Sequence, residues 1–199
     1  RLLRGITPVV TMRPHQWVNF AAFQLAWLAA VWGASVGLSW LGPVAVAGWV
    51  SAFALWQNRA RADVPLWLGV GVLGGVTDSI LVWSGAMAFP ESAGPGFPTT
   101  LWMIALWINF AAALRHCMGW LCERFALATV FGAIGGPLAY LAGDKLGALE
   151  IHVLPAVVIA WIVVMPCLLA IEMKTRPRRL SASGELGETE RVSTSGERT

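Results

Sequence analysis

Six apolar stretches separated by short polar or Pro/Gly-rich links make up most of the chain, and they predict helices over about 17–38, 43–56, 65–89, 98–120, 125–142 and 153–173. Bilayer hydrocarbon is about 30 Å thick and takes about 20 apolar helical residues to cross. The second stretch is therefore only just long enough to span. Pro43 and Pro65 mark helix starts, the run from Pro90 to Pro98 reads as a flexible turn, and Gly135-Gly136-Pro137 predicts a kink inside the fifth helix.

Within these stretches the exceptions to apolarity fall on stripes. Positions three and four apart share a helix face. In the first helix Asn19, Ala22, Ala26, Ala30, Gly33 and Gly37 form such a stripe. The third carries Gly71, Gly74, Gly75, Asp78, Val82 and Gly85, and the fourth Ala105, Asn109, Ala112, Ala113, His116 and Gly119. Small residues let helices approach closely in lipid, where packing and hydrogen bonds replace the hydrophobic drive. An ionisable group at mid-helix costs about 2.5–3.5 kcal/mol on insertion scales, so such groups turn towards the bundle interior. The expected fold is all-α, a polytopic bundle of six transmembrane helices organised around the stretch from Pro98 to Trp120.

Composition sharpens this reading. The chain has 57% hydrophobic and 13% charged residues with twelve Trp in 199 positions, well below the roughly 25% charge of soluble domains. Its net charge of +3 does not point to nucleic acid, because the basic residues are scattered through short loops. They report orientation instead. Arg1, Arg4, Arg13, Arg59, Arg61, Arg115, Arg124, Lys174, Arg176, Arg178 and Arg179 fall on one side of a six-span arrangement, and Lys145 alone falls on the other. Since short positive loops are retained in the cytoplasm, both termini are expected there. Residues 1–16, which lack the pattern of a removable signal, form a head; 17–173 form the transmembrane domain; 174–199 form a basic, then disordered tail. Trp17, Trp40, Trp56, Trp67, Trp83 and Trp120 lie near predicted helix ends, as in an interfacial belt.

Two polar constellations carry candidate chemistry. Asp78 and Asn109 are expected at a shared depth, either as a proton or cation site or as an interhelical hydrogen bond. Asn19, Gln24, Arg115 and His116 are expected near the cytoplasmic face. There Arg115 reads first as a lipid-headgroup anchor and His116 as a structural residue with a general-base alternative. His15, His116, Cys117 and Cys122 show no metal-ligand spacing, and Cys117, Cys122 and Cys167 form no disulfide framework. No metal or cofactor is expected. The matching runs Trp17-Val-Asn19-Phe-Ala-Ala and Trp107-Ile-Asn109-Phe-Ala-Ala raise a 3+3 inverted repeat.

The runs NFAAFQLAW (Asn19 to Trp27), GGVTDSIL (Gly74 to Leu81), PTTLWMIALWINFAAALRH (Pro98 to His116) and GGPLAYLAGDKLGA (Gly135 to Ala148) together resemble a bacterial membrane family catalogued as domain of unknown function 2878. The resemblance covers about residues 17–173. It implies a multi-pass protein of a bacterial inner membrane and brings no established activity. Three function classes follow: an accessory or enzyme of membrane-lipid modification near the inner leaflet, a small-solute or proton-coupled transporter centred on Asp78, and a structural subunit without activity. The expected partners are membrane lipids and other membrane proteins.

Overall fold

The structure is a computed structural model and describes residues 14–58, 60–122 and 124–176, apart from the Trp120 side chain. The expected head through residue 13, Arg59, and the expected disordered tail beyond 176 lie outside the described residues. The protein is all-helical: α1 (Pro14–Ser35), α2 (Leu41–Trp56), α3 (Ala60–Trp83), α4 (Leu101–His116), a single turn α5 (Gly119–Cys122), α6 (Phe125–Lys145) and α7 (Leu154–Thr175). Of these, α1, α3, α6 and α7 are long and apolar enough to cross a membrane, while α2 and α4 have 16 residues each.

α4 is the centre of the bundle, with α1, α2, α3 and α7 packed around it. Its length of about 24 Å at 1.5 Å per residue falls short of a bilayer, and the segments that flank it are buried. Thr99 and Thr100 are buried before it, and Cys117 and Cys122 after it. The stripes foreseen on α1 and α3 are the faces these helices bury, with Asn19, Ala26, Ala30 and Gly33 on α1 and Gly71, Gly74 and Asp78 on α3.

α3 departs from its expected bounds at both ends. It begins at Ala60, a turn before Pro65, and it stops at Trp83 although Ser84 to Phe89 continues apolar. The stop is made by Gly85, whose φ of 71° is open to glycine at little cost. Gly85 N–H bonds to Val82 O and Ala86 N–H to Leu81 O, the double-bonded glycine cap of a helix C-terminus. The same pair of bonds closes α1 at Gly37 and α6 at Gly147. These three capped ends share one face of the bundle: β1 after α3 pairs with β2 after α6, and Gly94 in the α3–α4 loop lies against Ser39 just beyond α1. There Met87–Ala88 (β1) pairs antiparallel with Glu150–Ile151 (β2), and His152 and Val153 both donate to Ala86 O. The loops around Gly85 and Gly147 thus form one tied surface, the capped end.

The inverted repeat finds no counterpart in packing. α6 lies against α7, whereas α2, its match by sequence, lies chiefly against α1 and α4. The kink-prone Gly-Gly-Pro remains inside a continuous α6.

Glycines on α3 and α6 set the helix spacing. A Cβ at Gly74 would overlap the Trp107 ring, and one at Gly136 the Trp161 ring, whereas Gly48 has nothing within 4 Å. Gly74→Ala and Gly136→Ala are each expected to lower the melting temperature of the detergent-solubilised protein, by the overpacking cost of about 1–3 kcal/mol. Gly48→Ala should melt at or slightly above wild type.

Candidate functional site

At the end of the bundle opposite the glycine caps, α3, α4 and α7 bring buried charges together. Asp63 lies in the first turn of α3 and is fully buried. One of its oxygens accepts from Arg115 Nη1 at 3.1 Å and the other sits 3.0 Å from His116 Nε2. Arg115 also donates to Ala62 O at 2.7 Å and to Thr175 Oγ1, and its Nε stands 3.6 Å from Glu172 Oε1. Glu172, buried in the last turns of α7, takes a second cation through Arg176 Nε at 3.1 Å. His116 meets Phe53 of α2 edge-on at 5.1 Å. Arginine suits this position because its planar fork presents several donors at once. With the Arg115 side chain only 4% exposed, the expected headgroup anchor is instead the middle of an internal ion network.

Asp78 occupies a second buried site. The register of α3 on α4 follows from its glycines, since Gly71 faces Ile108 and Gly75 faces Ile104. One further turn places Asp78 level with the start of α4, about eight residues, or 12 Å of helix rise, from the level of Asn109. The expected pairing of Asp78 with Asn109 does not form, because the early cap at Gly85 moves Asp78 away from mid-helix. Its two oxygens accept from Trp107 Nε1 at 2.8 Å and from the Tyr140 hydroxyl of α6. Asn109 faces the other side of α4, where Trp49 Nε1 donates to its Oδ1 at 3.0 Å and its Nδ2 donates to Phe23 O at 3.1 Å. Two residues apart on a helix are about 200° apart around it, so Trp107 and Asn109 serve different neighbours.

Tyr140 and Trp107 also belong to the wall of a large internal space. α1 is held by α2 and α4, and α6 by α7, which leaves a cavity of about 460 Å³ between α1 and α6 floored by α4. Phe23, Trp27, Phe110, Trp107, Trp161 and the α6 glycines line it. Trp161 stacks on Trp107 with centroids 4.8 Å apart and meets Tyr140 edge-on at 6.2 Å. Lining residues run from Phe20 to Val31 on α1 and from Phe131 to Gly143 on α6, about 17 Å along each axis. Phe131 and Leu138 are about half exposed on the outer surface, so the cavity opens sideways between the two helices.

The remaining sequence candidates separate. Gln24 stands exposed at the cavity edge, away from Arg115 and His116. Asn19 is fully buried, and neither of its amide atoms has a hydrogen-bond partner among the described residues. Cys117 and Cys122 are buried thiols, and Cys117 Sγ donates to Ala113 O. Among the described residues no three His, Cys, Asp or Glu side chains converge. Sequence reasoning passed over Asp63, Glu172 and Tyr140. Glu172 follows an apolar run in α7, and Tyr140 is the chain's single tyrosine, set among glycines; both were signals.

A family model described as a protein of unknown function, DUF2878, matches residues 16–167. No curated protein and no solved structure matches the chain.

Removing one partner of a buried ion pair costs about 3–5 kcal/mol because the other charge is left uncompensated. Arg115→Ala, which strips partners from Asp63 and Glu172 together, should therefore abolish or sharply lower the yield of monodisperse protein. Arg115→Lys should be intermediate, since one ammonium cannot span both carboxylates. A wild-type melting curve for Arg115→Ala would contradict the network.

Proposed function

Since the chain belongs to the DUF2878 family, whose function is unknown, we propose from its geometry that it is a six-span membrane protein that admits a single lipid chain sideways into the cavity between α1 and α6. The cavity carries this reading. Its volume lies within the roughly 300–1,000 Å³ of small-molecule pockets, its walls are aromatic and aliphatic, and it is elongated along the helix axes. It opens on the outer surface of the bundle beside Ile134 and Leu138 of α6, which are more than half exposed and form an apolar coat suited to lipid. A chain lying parallel to its neighbours in the bilayer needs no reorientation to enter.

The lipid-modification reading thereby moves away from Arg115, whose guanidinium is held by Asp63, Glu172 and Thr175, and from His116, whose Nε2 is held by Asp63. Asp78, closed off behind Trp107 and Tyr140, supports a lipid site better than a route for solute. In the membrane, the charged end with Arg61, Arg124, Lys174 and Arg176 lies in the cytoplasm and the capped end outside, with α4 completing its crossing through the buried segments that flank it. Trp17 and Trp56 at one end, and Trp40 and Trp83 at the other, stand more than half exposed at the two interfaces.

In vesicles containing a phospholipid with a diazirine in its acyl chain, irradiation should label peptides bearing Phe23, Phe110 and Trp161 above those of the exposed α3 face. Gly135 faces the cavity with only Phe131 near its missing Cβ, at 3.9 Å, so Gly135→Phe fills the space without a clash at the backbone. That variant should lose the cavity labelling and keep the α3 background. Equal labelling of both regions, unchanged in Gly135→Phe, would overturn the proposal. For orientation, a reporter after Thr199 should read as cytoplasmic and one inserted between Glu91 and Gly96 as external.

A further inference from the structure

Given the chain-binding reading of the cavity, on which this inference rests, the chemistry of the lipid follows from which way the hydrogen bonds at the capped end run. Asp78 is fully buried and has two donors, one on each oxygen: the Trp107 indole N–H and the Tyr140 hydroxyl. A buried carboxylate needs such donors, because an unpaired one is very costly away from water. The Trp107 N–H also lies close to the Tyr140 oxygen, where it can occupy one lone pair and leave the other free. The phenol is different, since a hydroxyl has one proton and two lone pairs. With its proton committed to Asp78, the oxygen that Tyr140 brings to the cavity wall can only accept.

None of the described lining residues carries a positive charge. A carboxylate or phosphate group seated beside Tyr140 would therefore meet a lone pair, with the Asp78 carboxylate directly behind it and no cation to offset either. A neutral donor meets a ready acceptor whose basicity the carboxylate raises. The aromatic ring of Trp161, edge-on to Tyr140 and stacked on Trp107, holds the phenol in this orientation.

We propose that the chain bound between α1 and α6 carries a neutral hydrogen-bond donor, a hydroxyl group, placed against the Tyr140 oxygen, and that Tyr140 on Asp78 selects it over acidic and donor-free chains. Asp78 is a positioning residue in this scheme: it fixes the direction of the phenol proton and does not touch the lipid.

The test is competition against the diazirine phospholipid by a long-chain primary alcohol and by its methyl ether, which match in shape and acceptor capacity and differ in the donor. For wild type the alcohol should displace the label at about five-fold lower concentration than the ether, the worth of one neutral hydrogen bond. In Tyr140→Phe the two should compete equally. In Asp78→Asn the new amide offers its NH₂ to Tyr140, which turns the phenol proton outward, so the ether should gain and the preference should vanish or reverse. A merely structural role for Asp78 would lower both affinities together and leave their ratio alone. Equal competition in wild type, or a preference that survives both substitutions, would overturn the donor assignment while leaving chain binding intact. Failure of both compounds to compete, with no cavity labelling, would overturn the chain-binding reading itself.

Discussion

The bundle depends on one constraint: a polar side chain inside an apolar slab has to be answered by another part of the protein, because no solvent is there to do it. α4 shows what this achieves. Trp107 reaches Asp78 on α3, Asn109 reaches Trp49 on α2 and the Phe23 carbonyl on α1, and Arg115 reaches Asp63 on α3 and Thr175 on α7. Leucine and isoleucine packing tolerates rotation and sliding. These bonds do not, so the rotation and the depth of α4 are fixed against four neighbours at once. A helix too short to span can then sit at the centre, with its ends finished by buried loops.

The cavity follows from the same economy of contacts. Glycines let α3 close on Trp107 and let α6 close on Met165 and Trp161, drawing α6 towards α7. α1 is drawn the other way by Asn109 and by its small-residue face on α2. No polar tie crosses between α1 and α6 among the described bonds, and the space between them is what the two attachments leave over. Its walls are aromatic because the rings that fill glycine notches on one side show their other faces to the gap.

How much of this could be read from the chain depends on distance along it. The buried stripes of α1 and α3 were legible, since small residues recurring at helical spacing within an apolar run mark the line along which a neighbouring helix comes close. The end of α3 was not, because hydropathy continues through Ser84 to Phe89 while a single left-handed glycine ends the helix. That error of one and a half turns made Asp78 look central and paired it with Asn109. Arg115 looked like a headgroup anchor because its partners lie more than 50 residues away on either side, Asp63 in what reads as a polar turn and Glu172 at the end of an apolar run. Asn19 is a polar group on the buried face its stripe predicts, and its amide meets no hydrogen-bond partner among the described residues.

The glycine caps and the two-residue ribbon give the bundle unlike closures. One face is shut by main-chain hydrogen bonds, which are indifferent to salt and to acidity. The opposite face is shut by carboxylates, an imidazole and guanidinium groups, whose hold depends on their state of charge. Neutralising Asp63 or Glu172 by substitution would loosen one face and spare the other, so opening would start where the charges meet, and the ribbon would hold longest.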